Sequence, residues 1–228
     1  MVIQVANYIS DIEPYEGGKP ISEVARELGI PEKKIVKLAS NENPIGIGKL
    51  TKIAIKNALK DVERYPDGNG FHLKKTISEK FSITSDQIIL GNGSNDILEL
   101  AARTFATLND EIIYSQHAFA VYKLVTKAMG AKGVEVPALN YCHDLDKFLT
   151  SITKKTKLIF IANPNNPTGT LIGKKILKSF LDSIPKHIIL VLDEAYDEYL
   201  LDDLKSNSFD WIKTYRNLIV SRSFSKAY

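Results

Sequence analysis

From residue 87 onward, short apolar runs alternate with longer stretches in which apolar positions recur every three or four residues. The runs Gln87–Leu90, Glu111–Tyr114, Lys132–Val136, Leu158–Ala162, Ile188–Leu192 and Leu218–Val220 predict strands, and the segments 97–105, about 120–130, 145–152 and 174–184 predict helices. Leu158–Ala162 and Ile188–Leu192 are apolar at every position, so both of their faces are expected to be covered. The chain therefore reads as α/β, a mostly parallel sheet with helices on both faces. In such a sheet the ligand lies beyond the carboxyl ends of the strands. Gly91–Asn95, Asn163–Gly169, Asp193 and Ser223–Lys226 all fall at those ends.

Upstream the pattern is weaker. Residues 1 to about 20 read as an arm, with the turn-rich stretch Pro14–Pro20. Ser22 is expected to cap a short helix through Leu28, which Gly29 and Pro31 end. Ile35–Leu38 predicts a strand leading into the polar loop Ser40–Pro44. Thr51 to about Arg64 predicts an amphipathic helix with Ile55, Ala58, Leu59 and Val62 on one face. Tyr65–Gly70 breaks it, and Phe71–Phe81 predicts a second helix facing inward through Leu73, Ile77 and Phe81.

Composition narrows the function. A net charge of +3 against 57 charged side chains gives no reason to expect a nucleic-acid partner. Cys142 is the single cysteine, so no intrachain disulfide forms, and the four histidines lack ligand spacing, so no metal site is expected. No apolar run approaches the roughly 18 residues of a membrane span. The start, Met1-Val2-Ile3-Gln4-Val5, lacks the pattern of a signal peptide, and a cytoplasmic setting is expected.

The chemistry is carried by three stretches. Ser223-Phe224-Ser225-Lys226 places one lysine among small hydroxyl residues where a buried strand emerges. An amine kept from water there can attack a carbonyl as a free base, although most lysines are solvated surface charges. Asp193 ends an apolar strand, where a carboxylate is costly unless it meets a cation or donors. A lysine that forms a Schiff base, paired with an acid that holds a pyridinium nitrogen, is the pairing used with pyridoxal phosphate. In that pairing Asn166 and Tyr196 could hydrogen-bond the ring's phenolic oxygen. The turn with Ser94 and Asn95, together with Ser223 and Ser225, could hold the phosphate. Phe119 could stack on the ring or simply pack in the core. A nicotinamide site is disfavoured, because Asp96 stands where the dinucleotide fingerprint has its third glycine.

Asn163-Pro164-Asn165-Asn166-Pro167-Thr168-Gly169, Asp193-Glu194-Ala195-Tyr196 and Ser223-Phe224-Ser225-Lys226-Ala227-Tyr228, in this order, resemble the fold-type I aminotransferases that use pyridoxal 5'-phosphate. Within them the likeness is nearest to the histidinol-phosphate aminotransferases, supported by Pro14–Gly18, Ser40–Pro44, Arg64–Gly68, Gly91–Ser94 and Gln116–Ala120. The resemblance implies that Lys226 holds the cofactor and moves the substrate's alpha proton. It implies that Asp193 pairs with the pyridine nitrogen, and that Tyr196 and Asn166 contact the ring oxygen. Ser94, Asn95, Ser223 and Ser225 would hold the phosphate, with Phe119 against the ring. Tyr65 would reach the phosphate of the neighbouring subunit, which implies a homodimer. Tyr15 and Asn43 would lie on the substrate side.

By the same resemblance, residues 1–50 are the arm and the start of a small-domain region, and 51–228 are the cofactor-binding large domain. Amino acids and 2-oxo acids are the implied substrates, in the exchange of histidinol phosphate and 2-oxoglutarate for imidazole acetol phosphate and glutamate. Transfer to aromatic or other 2-oxo acids, decarboxylation of a phosphorylated amino acid, and a non-catalytic chain that binds cofactor or partner are the alternatives. Family members continue for more than a hundred residues past the lysine. The expectation is that the C-terminal small domain and its substrate-binding arginine are absent here, and that 228 residues alone turn over little. Arg222 precedes the lysine and is not expected to replace the missing arginines.

Overall fold

The computed structural model describes residues 4–15 and 17–228, so Met1–Ile3 and Glu16 of the arm lie outside the described residues. Five strands, β1 (Glu111–Ser115), β2 (Lys132–Val136), β3 (Thr156–Ala162), β4 (Ile189–Asp193) and β5 (Leu218–Ser221), form one sheet. Their order is β2-β1-β3-β4-β5 and every pairing is parallel. The helices are α1 (Asn7–Ser10), α2 (Ile21–Leu28), α3 (Lys49–Ala58), α4 (Phe71–Phe81), α5 (Ser94–Phe105), α6 (Ala120–Ala128), α7 (Leu145–Thr150), α8 (Lys174–Ser183) and α9 (Ser208–Trp211).

The apolar strands are apolar because both faces are covered. Along β3, Ile159 and Ile161 join a core with Phe148 of α7, Leu177 and Leu181 of α8 and Trp211 of α9. Leu158 and Phe160, on the opposite face, join Leu98 and Ala102 of α5 and Tyr122 of α6. β4 repeats the alternation, with Leu190 and Leu192 on the first side and Val191 on the second. The period-2 alternation of side chains splits one continuous run between two cores. Each fully buried Leu or Ile contributes about 1.5–3 kcal/mol.

Register then fixes the site. Ala162 pairs with Asp193, and Asp193 with Ser221, so three strand ends lie in one row. The ladder runs one step further through Asn163 N–H to Asp193 O at 2.9 Å and Glu194 N–H to Ser221 O at 2.9 Å. The Asn163 loop, the Asp193 segment and the lysine segment leave the sheet side by side. α5 packs against β3, β4 and β5, and its N-terminal turn needs Gly93, which sits at φ +78° where a side chain is strained.

The amino-terminal third departs from the sequence expectations. α2 starts after Pro20, so Ser22 lies within it and does not cap it, although Gly29 ends it in the left-handed conformation as expected. Ile35–Leu38 is not a strand, and Val36 and Leu38 stay exposed with no neighbouring strand to pair. Gln87–Leu90 is not a strand either. Thr84 and Gln87 form a reciprocal capping box around a 3₁₀ turn, which uses the backbone groups a ladder would need. α3 and the 3₁₀ turn that follows, Leu59–Asp61, occupy most of the predicted 51–64 helix, but none of its residues is buried. Ile55, Leu59 and Val62 are exposed. No helix among the described residues is long and apolar enough to cross a membrane.

Candidate active site

Asp193 is 5% exposed at the end of β4. Its carboxylate accepts from the Tyr122 hydroxyl at 2.9 Å and from the Ala195 N–H at 3.2 Å. Burial pushes its carboxyl up to about 6, against the opposing pull of those two donors and of the nearby Lys226 charge. Two donors do not offset the loss of water, so the acid is short of a cation. Tyr122 was not legible as a site residue. It is fully buried in α6, stacked on Phe160 at 4.8 Å, and burial followed by the Asp193 charge holds its phenol well above the usual range. The one available signal was a tyrosine on the apolar face of a helix, whose hydroxyl must find a partner when buried.

Tyr122→Phe leaves Asp193 with one backbone donor. It is expected to destabilise the chain by about 1.5–3 kcal/mol above pH 6, where the carboxylate is ionised, and by less at lower pH. Urea unfolding at pH 5 and pH 8 measures the difference.

The lysine segment docks on the Asp193 strand end. Lys226 Nζ lies 5.8 Å from the centre of the Tyr196 ring, and the Tyr199 hydroxyl donates to Lys226 O at 3.0 Å. Ser223 is buried, its hydroxyl 2.6 Å from that of Ser225, and it also accepts from Ser225 N–H at 3.1 Å. Asn166 and Tyr196 face a cleft of about 510 Å³ shared with Asn41, Pro44, Pro164 and Tyr199. The Tyr196 hydroxyl accepts from Asn41 Nδ2 at 3.0 Å. Phenol and amide groups line the cleft, the Lys226 amine lies over the Tyr196 ring beside it, and the buried Asp193 stands three residues before Tyr196. That set can hold a cationic aromatic ring and move a proton beside it.

The other predicted residues are distributed around this centre. Asn43 sits beside the lysine, but its side chain is engaged in local structure: Nδ2 donates to Ala227 O at 3.1 Å and Oδ1 accepts from Ile45 N–H at 3.0 Å. Phe119 caps the N-terminus of α6 and meets Tyr122 edge-on at 6.0 Å, partly buried against the core. Ser94 and Asn95 occupy the first turn of α5, and among the described residues no hydrogen bond joins them to Ser223 or Ser225. Tyr15 is exposed and Tyr65 is fully exposed, both without a place at the cleft. No group of three His, Cys, Asp or Glu side chains able to hold a metal occurs among the described residues.

The chain is 57% identical over 220 residues to histidinol-phosphate aminotransferase 1 of Idiomarina loihiensis, covering 96% of this chain and 59% of that protein. It is 56% identical over 220 residues to the histidinol-phosphate aminotransferase of Methylobacillus flagellatus, covering 96% and 60%. The chain thus spans about 60% of the length of these relatives. Its fold matches that of the histidinol-phosphate aminotransferase from Sinorhizobium meliloti, solved in complex with pyridoxal-5'-phosphate, with a TM-score of 0.87 at 24% identity over 100% of this chain and 60% of that one. The enzyme from Clostridium acetobutylicum matches over 82% of this chain and 55% of that one, with a TM-score of 0.72 at 29% identity. The family model for aminotransferase class I and II covers residues 33–228, the whole sheet and every residue of the cleft, and the chain belongs to that family.

Proposed function

We propose that this chain carries the cofactor site of a pyridoxal 5'-phosphate-dependent aminotransferase that exchanges histidinol phosphate and 2-oxoglutarate for imidazole acetol phosphate and glutamate. The observation that carries the reading is Asp193, a buried carboxylate held between two donors, short of a cation, in one row with the strand end that leads to Lys226. A protonated pyridine nitrogen is the cation that site fits. Asp193 would hold that nitrogen, Lys226 the aldehyde carbon, and Tyr196 and Asn166 the phenolic oxygen. Phe119 would flank the ring. Ser94, Asn95, Ser223 and Ser225 would bind the phosphate at the α5 N-terminus and the lysine turn.

Pyridoxal phosphate supplies an electron sink that lets the alpha C–H bond of a bound amino acid ionise. Lys226 Nζ takes that proton and returns it. The Tyr196 ring beneath the amine confines its path, and Tyr196 shares its hydroxyl with Asn41. Asp193 keeps the ring nitrogen protonated, and Tyr122 orients Asp193. The substrate choice rests on relatives at 52–57% identity that carry this name. Tyr15 and Asn43 would serve the substrate side in this reading.

The reading extends to assembly. Residues 51–228 form the cofactor-binding domain, with 1–50 as the arm and the start of a small-domain region. Leu50, Leu59, Val62 and Tyr65 expose an apolar face on and after α3, which supports a homodimer in which Tyr65 reaches the neighbouring subunit's phosphate. A cytoplasmic setting follows from the biosynthetic role. The test is an amino-transfer assay on the intact protein with histidinol phosphate, phenylalanine and tyrosine as donors to 2-oxoglutarate. Histidinol phosphate is expected to be preferred by roughly 10²-fold or more in kcat/KM. Preference for an aromatic donor, or release of carbon dioxide, would replace this substrate with one of the alternatives.

A further inference from the structure

Arg222, four residues before the lysine, is the part of this segment that the reading leaves unused. Its Nη1 lies 3.3 Å from Glu194 Oε2 and its Nη2 lies 3.1 Å from Asp197 Oδ2, with Glu198 Oε1 as a third partner. Those carboxylates are themselves held. Glu194 is 1% exposed and accepts from the hydroxyls of Ser206 and, at 2.7 Å, Ser208. The guanidinium also lies over the Phe209 ring, 5.5 Å from its centre. With three carboxylates around one cation, the group repels an anion, so Arg222 is not a phosphate ligand.

The same three carboxylates belong to the segment that runs from Asp193 to Tyr199. That segment carries Tyr196, over which the Lys226 amine lies, and Tyr199, whose hydroxyl donates to Lys226 O. Beyond the last rung of the ladder, Glu194 N–H to Ser221 O, the side-chain hydrogen bonds and ion pairs between the two segments among the described residues are those of Arg222 and Tyr199. We propose that Arg222 is the positioning residue for Lys226: its guanidinium bolts the lysine segment to the Glu194–Glu198 turn and so holds the amine over Tyr196. The guanidinium reaches these carboxylates from two separate nitrogens in a rigid plane, which the single, freely rotating ammonium of a lysine does not reproduce. The inference rests on the function proposed above.

The test uses the intact protein and the variants Arg222→Lys and Arg222→Gln. Glu198→Gln removes one bolt and keeps Arg222, in case the arginine variants do not fold. Leu181→Ala, in the core between α7, α8 and α9 and outside the Arg222 contacts, is the control for general loss of stability. Two quantities are read at matched folded fraction: amide hydrogen exchange over residues 221–228, and the rate at which pyridoxal phosphate followed by borohydride labels Lys226. In the Arg222 variants exchange over 221–228 is expected to rise about 10-fold or more, and labelling to slow about 10-fold or more, while exchange in β3 is unchanged. Glu198→Gln moves both in the same direction by less, and Leu181→Ala moves neither selectively. Unchanged exchange and labelling in the variants, with Lys226 labelled normally in the parent, would overturn the positioning role alone. A parent that never labels at Lys226 would overturn the proposed function and this role with it.

Discussion

On the proposed function, Lys226→Arg is expected to abolish amino transfer in the intact protein, lowering kcat by roughly 10⁴-fold or more while the far-ultraviolet circular dichroism stays that of the parent. Arginine keeps the charge and much of the length, so the contacts of the segment survive. Its guanidinium stays protonated in proteins and cannot act as a free amine. The side chain is only partly buried and makes no ion pair among the described residues, so its loss removes chemistry and little structure. A fall of less than about 10-fold would place the reacting amine elsewhere.

Asp193→Asn produces two opposite effects. The carboxyl is raised from 3.8 to about 6 in the folded chain by burial. A raised acid favours the folded state fully below pH 4, and that support is lost as pH rises through 6. Without cofactor, the neutral variant is therefore expected to be more stable than the parent by about 3 kcal/mol at pH 7.5–8, with the gain gone below about pH 4. The nearly isosteric amide still meets the Tyr122 hydroxyl. On the proposed function, pyridoxal phosphate is expected to reverse the order. The parent gains a partner for its buried charge and the variant does not, so cofactor affinity falls roughly 30-fold or more. Thermal unfolding across pH 4–8, with and without the cofactor, measures both. A variant less stable than the parent in its absence at pH 8 would mean that Asp193 is already compensated.

The half of the molecule that builds the sheet was legible because burial on two faces leaves an unambiguous trace. Five of the six predicted strands form, and each of those lies within two residues of its predicted ends. The convergence of Asp193, the Asn163 loop and the lysine segment followed from strand-end logic alone. Gln87–Leu90 failed because apolar character in four residues cannot separate a strand from a turn closed by Thr84 and Gln87. Periodicity shows that α3 has an apolar face and not what lies against it, and none of its residues is buried. Tyr122 escaped because its role depends on a contact 71 residues away in the chain. Asn43 is expected on the substrate side, and its amide braces the backbone of Ala227, an engagement that residue type does not reveal.

On the proposed function, Lys226 is the one lysine this fold has prepared for pyridoxal phosphate. Among 30 Lys and Arg residues, most lysines are solvated and available to any aldehyde. The direct measurement is to add a stoichiometric amount of pyridoxal phosphate to the purified protein, reduce with borohydride, digest and locate the adduct by peptide mass. The account predicts one adduct, on Lys226. An adduct spread over surface lysines, or absent from the peptide that carries Lys226, would contradict it.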